Sequence, residues 1–138
     1  MEEMDRLYTT TLSSKPLTHH RMKALSGLAQ STEDHIARIG LGLSIRKGEV
    51  DTDWSPKPLS LSENTEIGIE GKQLRGKTLF KDDLALWMGL VLQHQVPSDY
   101  ADWRKVLIAH WERGVEELSS IAAQEGDWIR TLNACLPN

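Results

Sequence analysis

Basic side chains are concentrated in two segments of the chain, and ammonium and guanidinium groups bind phosphate. Residues 6–47 carry seven Lys and Arg against two acids, and residues 71–81 carry four against none. Phosphate contacts position a protein on a nucleic acid without reading its bases. We therefore expect one phosphate-binding surface, formed by Arg21, Lys23, Arg38, Arg46, Lys47, Lys72, Arg75, Lys77 and Lys81.

The remaining segments are acidic. Residues 48–70 carry six acids against one Lys, residues 112–127 carry five acids against one Arg, and the net charge is −4. This balance argues against a strongly basic protein that wraps DNA. It is compatible with one basic face on an acidic body.

The stretch from Gly71 to Thr78 meets the formal pattern of a nucleotide-binding loop, which is Gly, four residues, then Gly-Lys-Thr. A working loop of this kind follows a buried apolar strand, opens a helix and needs a second strand that ends in an acid. Residues 65–70 are short and acidic, and the rest of the chain favours helices. We expect no nucleotide hydrolysis here, although a glycine-rich basic loop can hold a phosphate.

No other group of side chains has the spacing of a catalytic or metal site. The five histidines form no His-x3-His or His-Glu-x-x-His pair. His110 lies on the apolar stripe of a helix and is expected to be a hydrogen-bonded core histidine. The single cysteine, Cys135, excludes an internal disulfide and a Cys-rich zinc site. We therefore expect no catalytic residue, no metal and no cofactor.

Helical periodicity predicts a mainly α fold. Residues 6–13, rich in Thr, are predicted to form one short strand. Helices are expected to start at Pro16, at Ser31 or Thr32, at Asp82, at Ser98 and at Asp127, the last being short. The N-terminal order of strand, helix, helix is similar to a ribbon-helix-helix unit, in which the strand pairs with its twin in a dimer. The two long C-terminal helices complete the core, and the first of them is expected at its centre because it is apolar almost all round.

The length of 138 residues suits one domain spanning residues 1–138. Residues 49–64, with Pro56 and Pro58, are expected to form a polar loop in which Trp54 either anchors the loop or meets a partner. Residues 65–80 are predicted to be extended or hairpin-like. An acidic start, no run of 18 apolar residues and a single cysteine predict a cytoplasmic protein without a membrane partner.

Four motifs occur in a fixed order along the chain. They are Leu12-Ser13, the segment 36–44 (IARIGLGLS), the segment 71–79 with its Arg-Gly and Thr-Leu pairs, and the segment 110–114 (HWERG). Together they resemble the DndE family of DNA sulfur modification (phosphorothioation) proteins. The resemblance covers roughly residues 6–121, so residues 122–138 form an atypical tail, and the loop around Trp54 is longer than the family pattern.

The resemblance implies a bacterial accessory protein that binds duplex DNA, nicked or intact, and can form homo-oligomers. It implies as partners a cysteine desulfurase, a sulfurtransferase-like adenylating protein and an ATPase, a set that replaces a non-bridging phosphate oxygen by sulfur. We therefore expect a non-catalytic DNA-binding component of that complex. Cys135 lies in the atypical tail and is not expected to carry sulfur.

Two alternatives stay open. One is a ribbon-helix-helix transcriptional regulator that reads operator DNA through Tyr8 and Thr10 as an obligate dimer. The other is a scaffold that binds only proteins, through Trp54 and the acidic end of the helix that starts at Ser98.

Overall fold

A computed structural model describes residues 2–63 and 68–137, with side chains from Asp5 onward. The elements in these ranges are α1 (Glu2–Thr9), β1 (Thr11–Ser13), α2 (Pro16–Ala29), α3 (Glu33–Lys47), β2 (Gln73–Arg75), α4 (Gly76–Phe80), α5 (Leu84–Leu92), α6 (Tyr100–Glu125) and α7 (Trp128–Cys135), with a 3-10 turn at Leu61–Glu63. The expected mainly helical, single-domain fold is confirmed. Residues 64–67, which belong to the expected loop and extended segment, lie outside the described residues.

The N-terminal segment differs from the single strand expected over residues 6–13, because residues 6–9 complete α1. Burial of Leu7 holds this helix against the core, and the Tyr8 hydroxyl accepts a hydrogen bond of 3.0 Å from the backbone of Leu84. The strand that follows is only three residues long, and it pairs antiparallel with β2 of the same chain. Tyr8 and Thr10 therefore lie outside the strand. In the described part of the chain, β1 and β2 form a two-stranded ribbon within one molecule.

The crossing of α3 and α6 forms the centre of the fold. A Cβ atom on Gly114 would overlap the carbonyl oxygen of Gly40, and one on Gly40 would lie 2.8 Å from the backbone nitrogen of Val115. The two backbones approach this closely because neither glycine carries a side chain. Leu41 and Trp111, both fully buried, pack beside the contact.

A network of hydrogen bonds joins α3 and α6 next to this crossing. It includes His110, which is 1% exposed, so the prediction of a core histidine is confirmed. The Gln95 amide is fixed by Val50, whose N–H donates to Oε1 at 2.9 Å and whose carbonyl accepts from Nε2 at 3.0 Å. Nε2 of His110 therefore donates to Gln95 Oε1 at 3.1 Å, and Nδ1 accepts from the Ser44 hydroxyl at 2.8 Å. Burial lowers the pKa of His110 to about 4, and the charges of Arg113 and His94 make smaller contributions in the same direction.

The apolar helix α5 is not at the centre of the core, contrary to expectation. Only Leu84, Met88 and Val91 are buried, whereas Leu86 is 60% exposed. The centre is occupied by α3 and α6, because their paired glycines allow the closest packing. In the described part of the chain, no helix combines the length and apolarity that crossing a membrane would need.

We predict that Gly114→Ala lowers the free energy of unfolding by about 3 kcal/mol or more, because the new methyl group forces α3 and α6 apart. Urea unfolding followed by tryptophan fluorescence measures the change. Gly89→Ala is the matched control: this helical position has nothing within 4 Å of the added Cβ, so about 0.5–1 kcal/mol of stabilisation is expected there. A Gly114→Ala protein that unfolds at the parent's midpoint would contradict the role of the glycine contact.

We also predict that stability falls as the pH is lowered from about 6.5 towards 4, by about 3 kcal/mol from His110. In this window the unfolded histidine binds a proton and the folded one does not, so the free energy of unfolding rises with pH. Urea unfolding at a series of pH values in wild type and His110→Gln measures the difference. His35→Gln, at an exposed position that does not contribute to the pKa shift of His110, serves as control, and a His110→Gln profile as steep as that of wild type would refute the prediction.

Candidate nucleic-acid interface

The first turn of α3 collects basic side chains from two other segments. Glu33 opens the helix, where a carboxylate is favoured by the positive end of the helix dipole. Its carboxylate lies 3.2 Å from Nζ of Lys72, 3.8 Å from Nζ of Lys23 and 3.0 Å from Nε2 of His19. The chain thus brings α2, α3 and the residues before β2 to one point.

Asp34, the next residue, contacts a second set of basic side chains. Its carboxylate accepts a hydrogen bond of 2.9 Å from Arg38 and lies 3.8 Å from Nζ of Lys81. Arg38 also donates to the carbonyl of Thr78 at 2.8 Å, which holds α4 against α3. Lys77, exposed on α4, shares with Lys81 an open cavity of about 430 Å³.

We call Lys23, Arg38, Lys72, Lys77 and Lys81 the basic surface. Four of these cations surround two carboxylates, and Lys77 shares its cavity with Lys81 and Asp82, so the five cations outnumber the three acids beside them. Burial opposes ionisation of both carboxylates, but the surrounding cations and hydrogen bonds outweigh it and lower the pKa values of Glu33 and Asp34. These contacts bring five of the nine basic residues close together, and their binding to phosphate stays a prediction.

The expectation of one surface for all nine basic residues is wrong for Arg46 and Lys47. They lie in the last turn of α3, about 20 Å along the helix from its acidic start. Nζ of Lys47 lies 3.2 Å from the carboxylate of Glu117 on α6. The length of α3 therefore places these two residues at the other end of this helix, away from Glu33 and Asp34.

Arg21 also leaves the predicted surface, because its side chain is buried, with 1% exposed. Its guanidinium lies 3.0 Å from the carboxylates of both Glu63 and Glu116, and it donates to the carbonyl of Lys57. A buried charge is tolerated when it is paired and hydrogen-bonded in this way. Arg21 thus holds residues 49–63 of the Pro-rich loop against α2 and α6. Its buried side chain is not accessible to a phosphate.

Arg75 belongs to a second basic group that sequence reasoning missed, which we call the arginine face (Arg6, Arg75 and Arg104). Arg104 donates to the carbonyl of Thr11 at 2.8 Å, and Thr11 pairs with Arg75 across the ribbon. The guanidinium of Arg6 stacks 4.3 Å from the ring centroid of Tyr100, one helical turn before Arg104. Among the described residues, none of these three arginines has a carboxylate within 4 Å.

The glycines of the nucleotide-loop pattern have a packing role. A Cβ atom on Gly71 would overlap the carbonyl oxygen of Ser14, and one on Gly76 would overlap that of Leu7. The amide of Gly76 is also engaged, since it donates to the carbonyl of Thr10 at 3.0 Å. The spacing of the two glycines is therefore explained by packing, because residues 71–76 pass very close to the backbone of residues 7–14.

The structure also shows the surroundings of Trp54 and Cys135. Trp54 is half-buried and packs against the core, so it anchors the Pro-rich loop. Cys135 is buried on α7, and burial raises the pKa of its thiol. The thiol is therefore protonated at neutral pH, which disfavours nucleophilic chemistry.

No protein-family model, curated protein or solved structure matches this chain. The resemblance to the DndE family therefore remains a prediction that rests on the four motifs. Two of those motifs, 36–44 and 110–114, meet at the crossing of α3 and α6, and a third, 71–79, supplies Lys72 and Lys77.

Proposed function

We propose that this protein is a non-catalytic DNA-binding protein that holds the phosphate backbone of duplex DNA on its basic surface. The single observation that carries the proposal is the convergence of four cations on Glu33 and Asp34, from α2, α3, the end of α4 and the residue before β2, with Lys77 in the same cavity as Lys81. Such a cluster attracts a polyanion while the chain as a whole carries a net charge of −4.

The chemistry of the basic surface favours backbone contacts over base recognition. Lys23, Lys77 and Lys81 are exposed, and a lysine ammonium binds phosphate as a point charge without geometric selection. Binding that neutralises phosphates releases counterions, so its affinity falls steeply with salt. A nick makes the duplex easier to bend onto a flat basic surface, which favours nicked over intact DNA.

The cellular part of the proposal is membership of a phosphorothioate modification complex. It rests on the four DndE-like motifs, two of which, 36–44 and 71–79, supply cations to the basic surface. In such a complex this protein would hold the DNA, and a cysteine desulfurase, a sulfurtransferase-like protein and an ATPase would perform the chemistry.

We predict that Lys77→Ala/Lys81→Ala weakens binding to a random-sequence duplex about tenfold or more at low salt. The slope of log Kobs against log salt should become less steep by up to about 1.8, because each lost phosphate contact contributes about 0.9. Fluorescence anisotropy titrations at several salt concentrations, with intact and nicked duplexes in parallel, provide the measurement.

Arg46→Ala/Lys47→Ala is the matched control, since it removes the same charge from the other end of α3. Binding of this control should stay within about twofold of wild type if the contacts are local. Equal losses in both double variants would mean that only net charge matters, and the absence of duplex binding by wild type would refute the proposed function.

Membership of the complex is tested separately. An affinity-tagged copy, expressed together with the desulfurase, sulfurtransferase-like protein and ATPase of a phosphorothioation system, is expected to retain at least one of them. Nuclease treatment before capture separates protein contacts from tethering by DNA. Capture of none, with DNA binding intact, would remove the complex and leave the DNA-binding proposal standing.

A further inference from the structure

The ribbon formed by β1 and β2 presents a polar outer face. Leu12 and Leu74 point into the core, with 0% and 5% of their surfaces exposed, and pair across the ribbon. The alternate positions are all exposed: Thr11 opposite Arg75, and Ser13 opposite Gln73. Successive side chains of a strand point to opposite faces, so these four polar side chains share the outer face.

Gln73 and Arg75 are the longest side chains on this face. Within residues 5–63 and 68–137, neither side chain makes a hydrogen bond or ion pair, although Arg75 also starts α4 as its N-cap residue. The Arg guanidinium forms paired hydrogen bonds with O6 and N7 of guanine, and the Gln amide does so with N6 and N7 of adenine. These residue types are thus suited to reading base edges in the major groove.

Cations lie near the free edge of β1 and near the end of β2. Arg104 lies against the free edge of β1 through its bond to the Thr11 carbonyl, and Arg6 lies nearby on Tyr100. Lys77 is exposed on α4, two residues after β2, whereas the Nζ of Lys72, one residue before β2, is held at 3.2 Å by Glu33. The arginine face and Lys77 are therefore the cations next to the ribbon.

The dimensions of the ribbon suit the groove. Two paired strands lie about 4.8 Å apart, and the major groove is about 12 Å wide and admits a two-stranded ribbon. Residues two apart on a strand are separated by about 6.6 Å, close to two base-pair steps of about 3.4 Å each. Gln73 and Arg75 can therefore address base pairs about two steps apart.

We propose that the outer face of the β1–β2 ribbon enters the major groove of DNA, where Gln73 reads an adenine and Arg75 reads a guanine. The inference rests on the proposed DNA binding and adds base recognition to it. The ribbon belongs to one chain, so one molecule makes both base contacts, without a twin strand from a second copy.

A selection from a pool of duplexes with a random core tests this proposal. Wild type is expected to enrich a core that holds an A·T pair and a G·C pair about two steps apart, with a preference of about fivefold or more per position. Gln73→Ala should lose the preference for A·T and keep its affinity for unselected duplex. Arg75→Ala should lose the preference for G·C and bind unselected duplex with a less steep salt dependence. Both positions are exposed, so thermal unfolding should match wild type.

Gln124→Ala and Arg46→Ala, which change the same residue types at exposed positions away from the ribbon, should keep the full wild-type preference. Binding of wild type without any enriched core, or an enriched core that survives both ribbon substitutions, would overturn base reading and leave the backbone-binding function intact. Failure of wild type to bind any duplex would refute the proposed function itself.

Discussion

The backbone contact between Gly40 and Gly114 is the constraint on which the other parts of the structure depend. Because α3 and α6 approach without side chains between them, Ser44 reaches His110, and Arg113 reaches the last carbonyls of α3. The end of α3 is thus capped by a guanidinium from α6, which suits the negative end of a helix dipole. With its C-terminal end fixed, α3 has one orientation, and its acidic first turn projects to the place where α2, α4 and the residues before β2 bring their cations.

Charged residues have two separate roles in this fold, and burial decides which role each one takes. Glu112, 2% exposed, accepts hydrogen bonds of 2.8 Å from the backbone of Lys15 and the hydroxyl of Thr18, and so holds the start of α2. Arg21 likewise organises the Pro-rich loop from inside. Removal of one partner of such a buried pair leaves an uncompensated charge, so these residues determine stability. Exposed lysines such as Lys23 and Lys77 contribute little to stability and are available to a ligand.

Local signals in the sequence were sufficient for the ends of α2, α3 and α7. Pro16 begins α2, Gly48 ends α3 with a φ of 114°, and Asp127 caps α7. The helix α1 was not predicted, since the threonines at and after its end (Thr9, Thr10 and Thr11) favour a strand, and its contacts to Leu84 and Tyr100 are distant in the chain. Burial of Arg21 did have a signal: Thr18, Arg21, Met22 and Leu25 follow the spacing of a buried helical stripe. Arg104 had none, because its partner is a backbone carbonyl 93 residues away.

The carboxylates inside the basic surface bear directly on how such a surface would bind DNA. Glu33 and Asp34 hold long side chains in place before any ligand arrives, which reduces the entropy lost when those side chains meet a phosphate. The same carboxylates compete with the phosphate for Lys72 and Arg38, so part of each new contact replaces an existing one. On the proposed function, backbone binding alone would therefore be modest and sensitive to salt. On the proposed base reading, additional affinity and selectivity would arise from Gln73 and Arg75 on the adjacent ribbon, whose side chains have no partner within residues 5–63 and 68–137.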